Sequence, residues 1–184
     1  WEWKNSEKRS SWALIAGVRA QHWSVNEQTV VSPRGRIVFD PGWRRVKANG
    51  DTMDLAQSFW FAAGVYQQPP FYRELRDMQG GINPELRAQK SIHYILGMTR
   101  LFSIWDRPFK FSTEAYYKQL SDLVPYEVDN VRLRYYAKNM ADGFATGIDL
   151  KLNGEFIKGV ESWASLSVMR TAEDIAGDSY NRYY

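Results

Sequence analysis

Along most of this chain, apolar and polar side chains alternate one by one. The clearest run is Phe109-Lys110-Phe111-Ser112-Thr113-Glu114-Ala115-Tyr116-Tyr117-Lys118. Phe109, Phe111, Thr113, Ala115 and Tyr117 share one parity, and Lys110, Ser112, Glu114, Tyr116 and Lys118 share the other. A strand points successive side chains to opposite faces, so this run has an oily face and a wet, charged one. Roughly seven such stretches recur, each about ten or more residues long. The pattern predicts strands over residues 11–24, 33–40, 58–67, 89–104, 109–120, 131–152 (interrupted near 139–143) and 156–171.

The connections between these stretches sort by length. Trp105-Asp106-Arg107-Pro108 reads as a tight turn, and Asn153-Gly154 is the strongest hairpin signal in the chain. Residues 25–31 read as a loop, Pro69-Pro70 ends the third strand, and long polar loops cover residues 71–88 and 121–130. Long strands with short turns at one end and long loops at the other are the plan of an outer-membrane β-barrel. The connection over residues 41–57 is the exception. It falls at the short-turn end yet is long, and Arg44, Arg45 and Lys47 make it basic.

Composition narrows the class further. No run approaches the roughly 18 apolar residues of a membrane helix. The negative mean hydropathy of −0.51 therefore argues against a helical membrane protein, but not against a barrel with a polar lumen. With no cysteine, neither a disulfide scaffold nor a Cys-based zinc site can form. A net charge of +3 over 184 residues gives no strong case for nucleic acid. Aromatics at 15%, with 8 Trp and 11 Tyr, suit barrel girdles or sugar-binding platforms. The chain opens at Trp1 without a charged-then-apolar leader, so the expectation is that a signal peptide was removed or never present.

Taken in order, several segments resemble the barrel domain of TonB-dependent outer-membrane receptors. Trp12-Ala13-Leu14-Ile15-Ala16-Gly17-Val18-Arg19 is similar to that family's strand ending in Gly-Leu-Arg, and Ser32-Pro33-Arg34 to the Ser-Pro-Arg that opens the next. Ala63-Gly64-Val65-Tyr66-Gln67-Gln68-Pro69-Pro70, then Arg73-Glu74-Leu75, Asn83-Pro84-Glu85-Leu86 and Tyr94-Ile95-Leu96-Gly97 follow in the family's order. Ala115-Tyr116-Tyr117-Lys118, Asn139 and Gly147-Ile148-Asp149 complete the series. Gln89, Ile95 and Asp149 stand where the family usually has Glu. The resemblance implies an all-β, antiparallel transmembrane barrel, with residues 1–184 a partial receptor barrel within a wall of about 22 strands. It implies outer-membrane lipid around it, a plug domain and further strands from the same polypeptide, and an inner-membrane TonB complex that supplies energy. The cargo would be a scarce nutrient such as an iron chelate, cobalamin, a glycan or a peptide, and no enzyme activity, cofactor or nucleic-acid partner is implied.

Candidate site residues are few, and neither catalytic, metal-binding nor individual ligand-binding residues are assigned. The loop bearing Phe71, Tyr72, Arg73, Glu74, Arg76 and Asp77 is either a ligand-contacting surface or a solvated loop. One parity of the last three strands carries Lys110, Glu114, Lys118, Arg132, Arg134, Asp149, Lys151 and Glu161, expected to face a wet lumen. The other carries Val131, Leu133, Tyr135, Ile148, Leu150, Leu152, Val160, Ala164, Leu166 and Val168, expected to face lipid. Tyr116, Tyr117, Tyr135, Tyr136 and Trp163 are expected at a membrane interface or in the interior. His22 and His93 have no ligand-spaced partner, and Glu173-Asp174 with Asp178 does not fit an EF-hand loop. The basic set Arg34, Arg36, Arg44, Arg45 and Lys47 lacks interleaved stacking aromatics other than Trp43. The alternative is a soluble β-sandwich that binds carbohydrate through Trp60, Trp105 and Trp163.

Overall fold

The computed structural model describes residues 2–5, 10–46, 52–54, 56–179 and 182–183. They form thirteen strands: β1 (Glu2–Asn5), β2 (Ser11–Trp23), β3 (Gln28–Asp40), β4 (Arg44–Val46), β5 (Thr52–Asp54), β6 (Gln57–Gln68), β7 (Gln89–Ile104), β8 (Arg107–Leu123), β9 (Tyr126–Asp129), β10 (Arg132–Tyr135), β11 (Ala141–Ile157), β12 (Val160–Ile175) and β13 (Arg182–Tyr183). Nine of them make one antiparallel sheet in the order β1-β2-β3-β6-β7-β8-β11-β12-β13. Seven of those nine are long, from 12 to 17 residues. A tilted strand crosses a bilayer in about 9–11 residues, so each of the seven has length to spare. Long strands that follow one another in sequence are neighbours in the sheet, which is therefore a simple meander, open at both edges among the described residues.

Connections divide by end. Trp105-Asp106 and Lys158-Gly159 are two-residue turns at one end. Trp105 and Asp106 both take left-handed φ values, 53° and 56°, the geometry that lets a two-residue turn follow the twist of its strands. The opposite end holds the turn over residues 24–27, the long loop over 69–88 and the segment over 124–140. The exceptional basic connection contains a small separate ladder of β4 and β5. Arg44 and Arg45 lie on β4, and Lys47 lies outside the described residues.

Several boundaries differ from the sequence expectation. The second long strand starts at Gln28 rather than at 33, because its pairing with β2 runs without a break from Gln28 to Asp40. Pro33 is tolerated because β3 pairs with β6 only from Arg34 onward, so its missing N–H lies outside that ladder. Asn153-Gly154 is not a turn. Both residues pair with β12 and β8 inside β11, and the turn falls at Lys158-Gly159, where Gly159 has φ 78°. Gly154 meets a different need: a Cβ there would stand 2.3 Å from the Phe109 ring, so the position admits no side chain. The seventh strand is correspondingly displaced to Val160–Ile175.

The largest correction concerns residues 131–135. They do not open the sixth long strand. β10 pairs with β9 in a separate hairpin, and the long strand begins at Ala141. The tip is Asn130-Val131, with φ of 45° and 71°. A β-branched residue is rarely found in that region, so Val131 reads as strand although it turns the chain.

Apolar packing is concentrated at the loop end. Leu75, Leu86 and Val124 form a buried cluster, with Trp23 and Tyr135 packed against it.

Candidate functional site

Residues directly opposite one another in adjacent strands share a face, so the registers assign every long-strand side chain to one of two surfaces. One surface is apolar through its middle rows, with Thr146 and Arg170 in the row above them and Gln57 and Arg100 in the row below. A single row across it reads Ile37, Phe61, Leu96, Ala115, Ile148, Val168. The next row toward the turns reads Phe39, Phe59, Met98, Thr113, Leu150, Leu166. Leu152, Val160 and Ala164 belong to the same face, as expected. Val131, Leu133 and Tyr135 do not, because they lie in the β9–β10 hairpin and its flank.

No second sheet covers this apolar surface among the described residues. Leu96, Ile148, Leu166 and Val168 are 60%, 52%, 59% and 65% exposed. A sandwich would bury that face against a partner sheet, and the described residues supply none. Its proposed platforms are also apart: Trp60 and Trp163 face the polar side, and Trp105 sits in a turn.

The opposite surface is polar and charged. Lys110, Glu114, Lys118, Asp149, Lys151 and Glu161 share it, together with Arg19, Arg34, Arg36, His93 and Tyr116. Arg132 and Arg134, expected here, are on β10, where Arg134 Nε lies 3.3 Å from the Asp129 carboxylate. Of the expected interface aromatics, Tyr117 joins the apolar face, Tyr116 and Trp163 the polar one, and Tyr135 and Tyr136 the loop end.

A repeated local unit organises part of this polar face. Trp60 lies across Gly97, where a Cβ would come within 2.1 Å of its ring, and the Arg36 guanidinium stands 4.3 Å above that ring. Tyr116 lies over Gly147 in the same way, with Lys118 Nζ 5.0 Å from the ring centroid. Tyr66 stacks on His93 at 4.3 Å beside Gly64. One row nearer the turns than Arg36, Glu114 and Asp149 stand directly opposite one another, flanked by Gly97 and Ser167.

At the loop end, side-chain amides join segments distant in sequence. Asn139 accepts from the Arg87 N–H at 2.8 Å and donates to the carbonyls of Arg87 and Asp122, at 2.9 and 2.7 Å. Arg87 also pairs with the Asp122 carboxylate at 2.9 Å. Asn83 donates to the Ala137 carbonyl, Asn26 to that of Leu86, and Gln28 accepts from the Ala88 N–H. Buried Glu74 accepts from the Phe71 N–H and from the Gln89 side chain. Gln89 in turn accepts from the Val124 N–H, a double role that an amide fills and a second carboxylate beside Glu74 would not. Phe71 and Tyr72 remain exposed, the available contact surface of this loop. In the β9–β10 region, Tyr136 donates its hydroxyl to Glu127, and that bond raises the phenol above its ordinary pKa.

The structure brings neither histidine into a ligand set. His22 contacts Thr29 and Glu27 near the turn at residues 24–27, and His93 is stacked on Tyr66. Asp178 is paired with Arg182 at 2.9 Å. Sequence reasoning gave no role to Asn26, Asn83 or Asn139. Most of their partners are 52 to 60 residues away, and only the Asn83-Pro84 dipeptide hints at them.

Among families of known proteins, the one described as TonB dependent receptor-like, beta-barrel matches residues 1–183. No curated protein and no solved structure matches the chain.

Proposed function

The chain belongs to the TonB-dependent receptor β-barrel family, whose place is the bacterial outer membrane and whose work is transport, and from that premise we propose that it forms part of the wall of an energised nutrient importer. The observation that carries this reading is the two-faced sheet: an uncovered apolar surface, a charged one behind it, short turns at one end and interlocked loops at the other. In this barrel plan the turns face the periplasm and the loops face outside. Cargo is met at the outer loops and passes along the polar face, past a plug that the inner-membrane TonB complex pulls on. The wall makes no bonds in the cargo.

The same wall needs more strands than these. Residues 160–169 of β12 and 17–23 of β2 have no strand beside them on their far edges among the described residues. About ten backbone groups on such an edge, at several kcal/mol each in hydrocarbon, outweigh the roughly 5–15 kcal/mol that stabilises a typical domain. We therefore read residues 1–184 as one piece of a larger closed barrel whose other strands complete both edges.

The test is fractionation and coupling of the full-length native protein. It should sediment with outer membranes, resist salt extraction and dissolve only in detergent, and it should capture the periplasmic domain of TonB. Release by salt alone, or no association with TonB in the presence of an intact receptor, contradicts the reading.

A further inference from the structure

On the apolar face, two adjacent rows hold no charged side chain: the row from Ile37 to Val168 and the row from Phe39 to Leu166. The next row toward the turns brings in Arg100, opposite Gln57 on one side and Phe111 on the other. Nearer still to the turns, Arg107 stands on the same face, opposite Ile104. From the Arg100 row to the turns, the long strands place no Asp or Glu on this face. The strand carboxylates of this end, Asp40, Glu155 and Glu161, fall on the luminal parity with Lys110. Asp106 and Lys158 lie in the two turns, and Arg44 stands opposite Asp54 in the β4–β5 ladder, so neither pair adds net charge.

Both guanidiniums lack an anionic partner. Among the described residues, neither Arg100 nor Arg107 has a carboxylate at ion-pair distance. Arg100 is exposed, and its neighbour Gln57 is buried with its amide on the Met98 sulfur at 3.3 Å. Arg107 is half-buried and donates from Nη1 to the Phe156 carbonyl at 3.0 Å, which occupies one of its N–H groups.

Aromatic rings share this end of the face. Trp43, half exposed, sits edge-on to Phe59 at 6.0 Å. Phe109, only 3% exposed, stacks on Phe102 at 5.8 Å and meets Phe156 edge-on at 5.3 Å. A guanidinium facing hydrocarbon is costly at mid-membrane and nearly without cost at the headgroups. Arg100 and Arg107, at the border of the uncharged rows and among aromatic rings, therefore stand at headgroup depth. There a planar guanidinium fork matches a phosphate with two N–H groups.

We propose that the turn end of the lipid-facing wall binds the phosphates of anionic inner-leaflet phospholipids through Arg100 and Arg107. The inference rests on the barrel reading, which puts the turns on the periplasmic side, and it adds a specific lipid partner to the wall. Two cations with no carboxylate on their face select a net-anionic lipid over a zwitterionic one. The carboxylates lie on the other face, where they cannot repel it at contact.

The test compares the full-length receptor in vesicles of phosphatidylcholine alone and of three parts phosphatidylcholine to one part phosphatidylglycerol. Phosphatidylglycerol should raise the unfolding temperature read by heat-modifiability gels, and the rise should shrink as salt increases. Arg100→Gln/Arg107→Gln should lose most of that rise while unfolding as before in phosphatidylcholine alone. Arg100→Lys keeps the charge and should retain a partial rise. Native mass spectrometry of the folded receptor should show phosphatidylglycerol retention falling about fivefold for each guanidinium removed. Arg170→Gln, on the same face but toward the loops, should keep both the rise and the retention. Inorganic phosphate should not replace the lipid. No phosphatidylglycerol effect, an unchanged effect in the double variant, an equal loss in Arg170→Gln, or an equal rise with inorganic phosphate overturns the proposal. Failure of the fractionation test sinks the barrel reading itself. Correct fractionation without a phosphatidylglycerol effect sinks only this inference.

Discussion

Replacing Asn139 by alanine removes three hydrogen bonds at once, two to Arg87 and one to the Asp122 carbonyl. Each is worth about 0.5–1.5 kcal/mol net. Asn139 is only partly buried, so water recovers some of that, and a loss of about 2 kcal/mol is the reasoned figure. At about 1.4 kcal/mol per tenfold, local opening of the loop end should become roughly 30 times more frequent. Hydrogen exchange on the full-length receptor reads this directly at the amides of Arg87, Tyr136 and Met140. Tyr136 and Met140 bond to the Pro125 and Leu123 carbonyls and so report the same junction. Asn139→Asp keeps one of the three bonds and sets a carboxylate against two carbonyls, so it should be at least as damaging. A change under about threefold in either variant, or faster exchange spread evenly over the mid-strand amides, would refute the claim that Asn139 locks the loops locally.

Four further outcomes follow from the same geometry. Leu86→Ala, at a side chain only 1% exposed, should destabilise the loop cluster by about 2–5 kcal/mol, seen as faster protease cutting within residues 69–88. Gly97→Val drives a side chain into the Trp60 ring and should cost about 1–3 kcal/mol, lowering the temperature at which the barrel unfolds in heat-modifiability gels and shifting Trp emission. Leu150→Arg, on the apolar face, should cost about 2–4 kcal/mol near mid-membrane and reduce assembled receptor, whereas Lys151→Leu on the other face should not. The Tyr136 phenol is raised by its bond to Glu127, so the neutral form is favoured in the folded state. Stability from that bond is fully present below the unfolded phenol value of about 10 and is lost as pH rises through the higher folded value. Tyrosinate absorbance should therefore show a late-titrating component that disappears in Tyr136→Phe.

The faces of the sheet were legible because they depend only on parity. Ile148, Leu150, Leu166 and Val168 fall together once any one of their strands is placed. Strand ends were less legible where one residue type answers two needs. Asn153-Gly154 looks like a turn, yet Gly154 is there because Phe109 packs over it. Residues 131–135 alternate like a strand, and they are one, but Val131 turns the chain and pairs it with β9 instead of the sheet. The glycine–ring–cation units were hidden because they need the register: Arg36, Trp60 and Gly97 sit on three different strands. The amide network around Asn139 was hidden for the same reason, since no local pattern ties residue 139 to residue 87.

The central claim is that these strands form a wall with lipid on one side and water on the other. Residues 1–184 contain no cysteine, so single cysteines placed along β8 and β11 of a receptor cleared of any other cysteine can carry spin labels in bilayers. Labels at positions 113, 115 and 117 of β8 and 148, 150 and 152 of β11 should be quenched by a lipid-soluble relaxant. Labels at 112, 114 and 116 of β8 and 147, 149 and 151 of β11 should answer instead to a water-soluble one, giving a period of two with opposite parity on the two strands. Equal exposure of both parities to water, or a reversed alternation, would contradict the account.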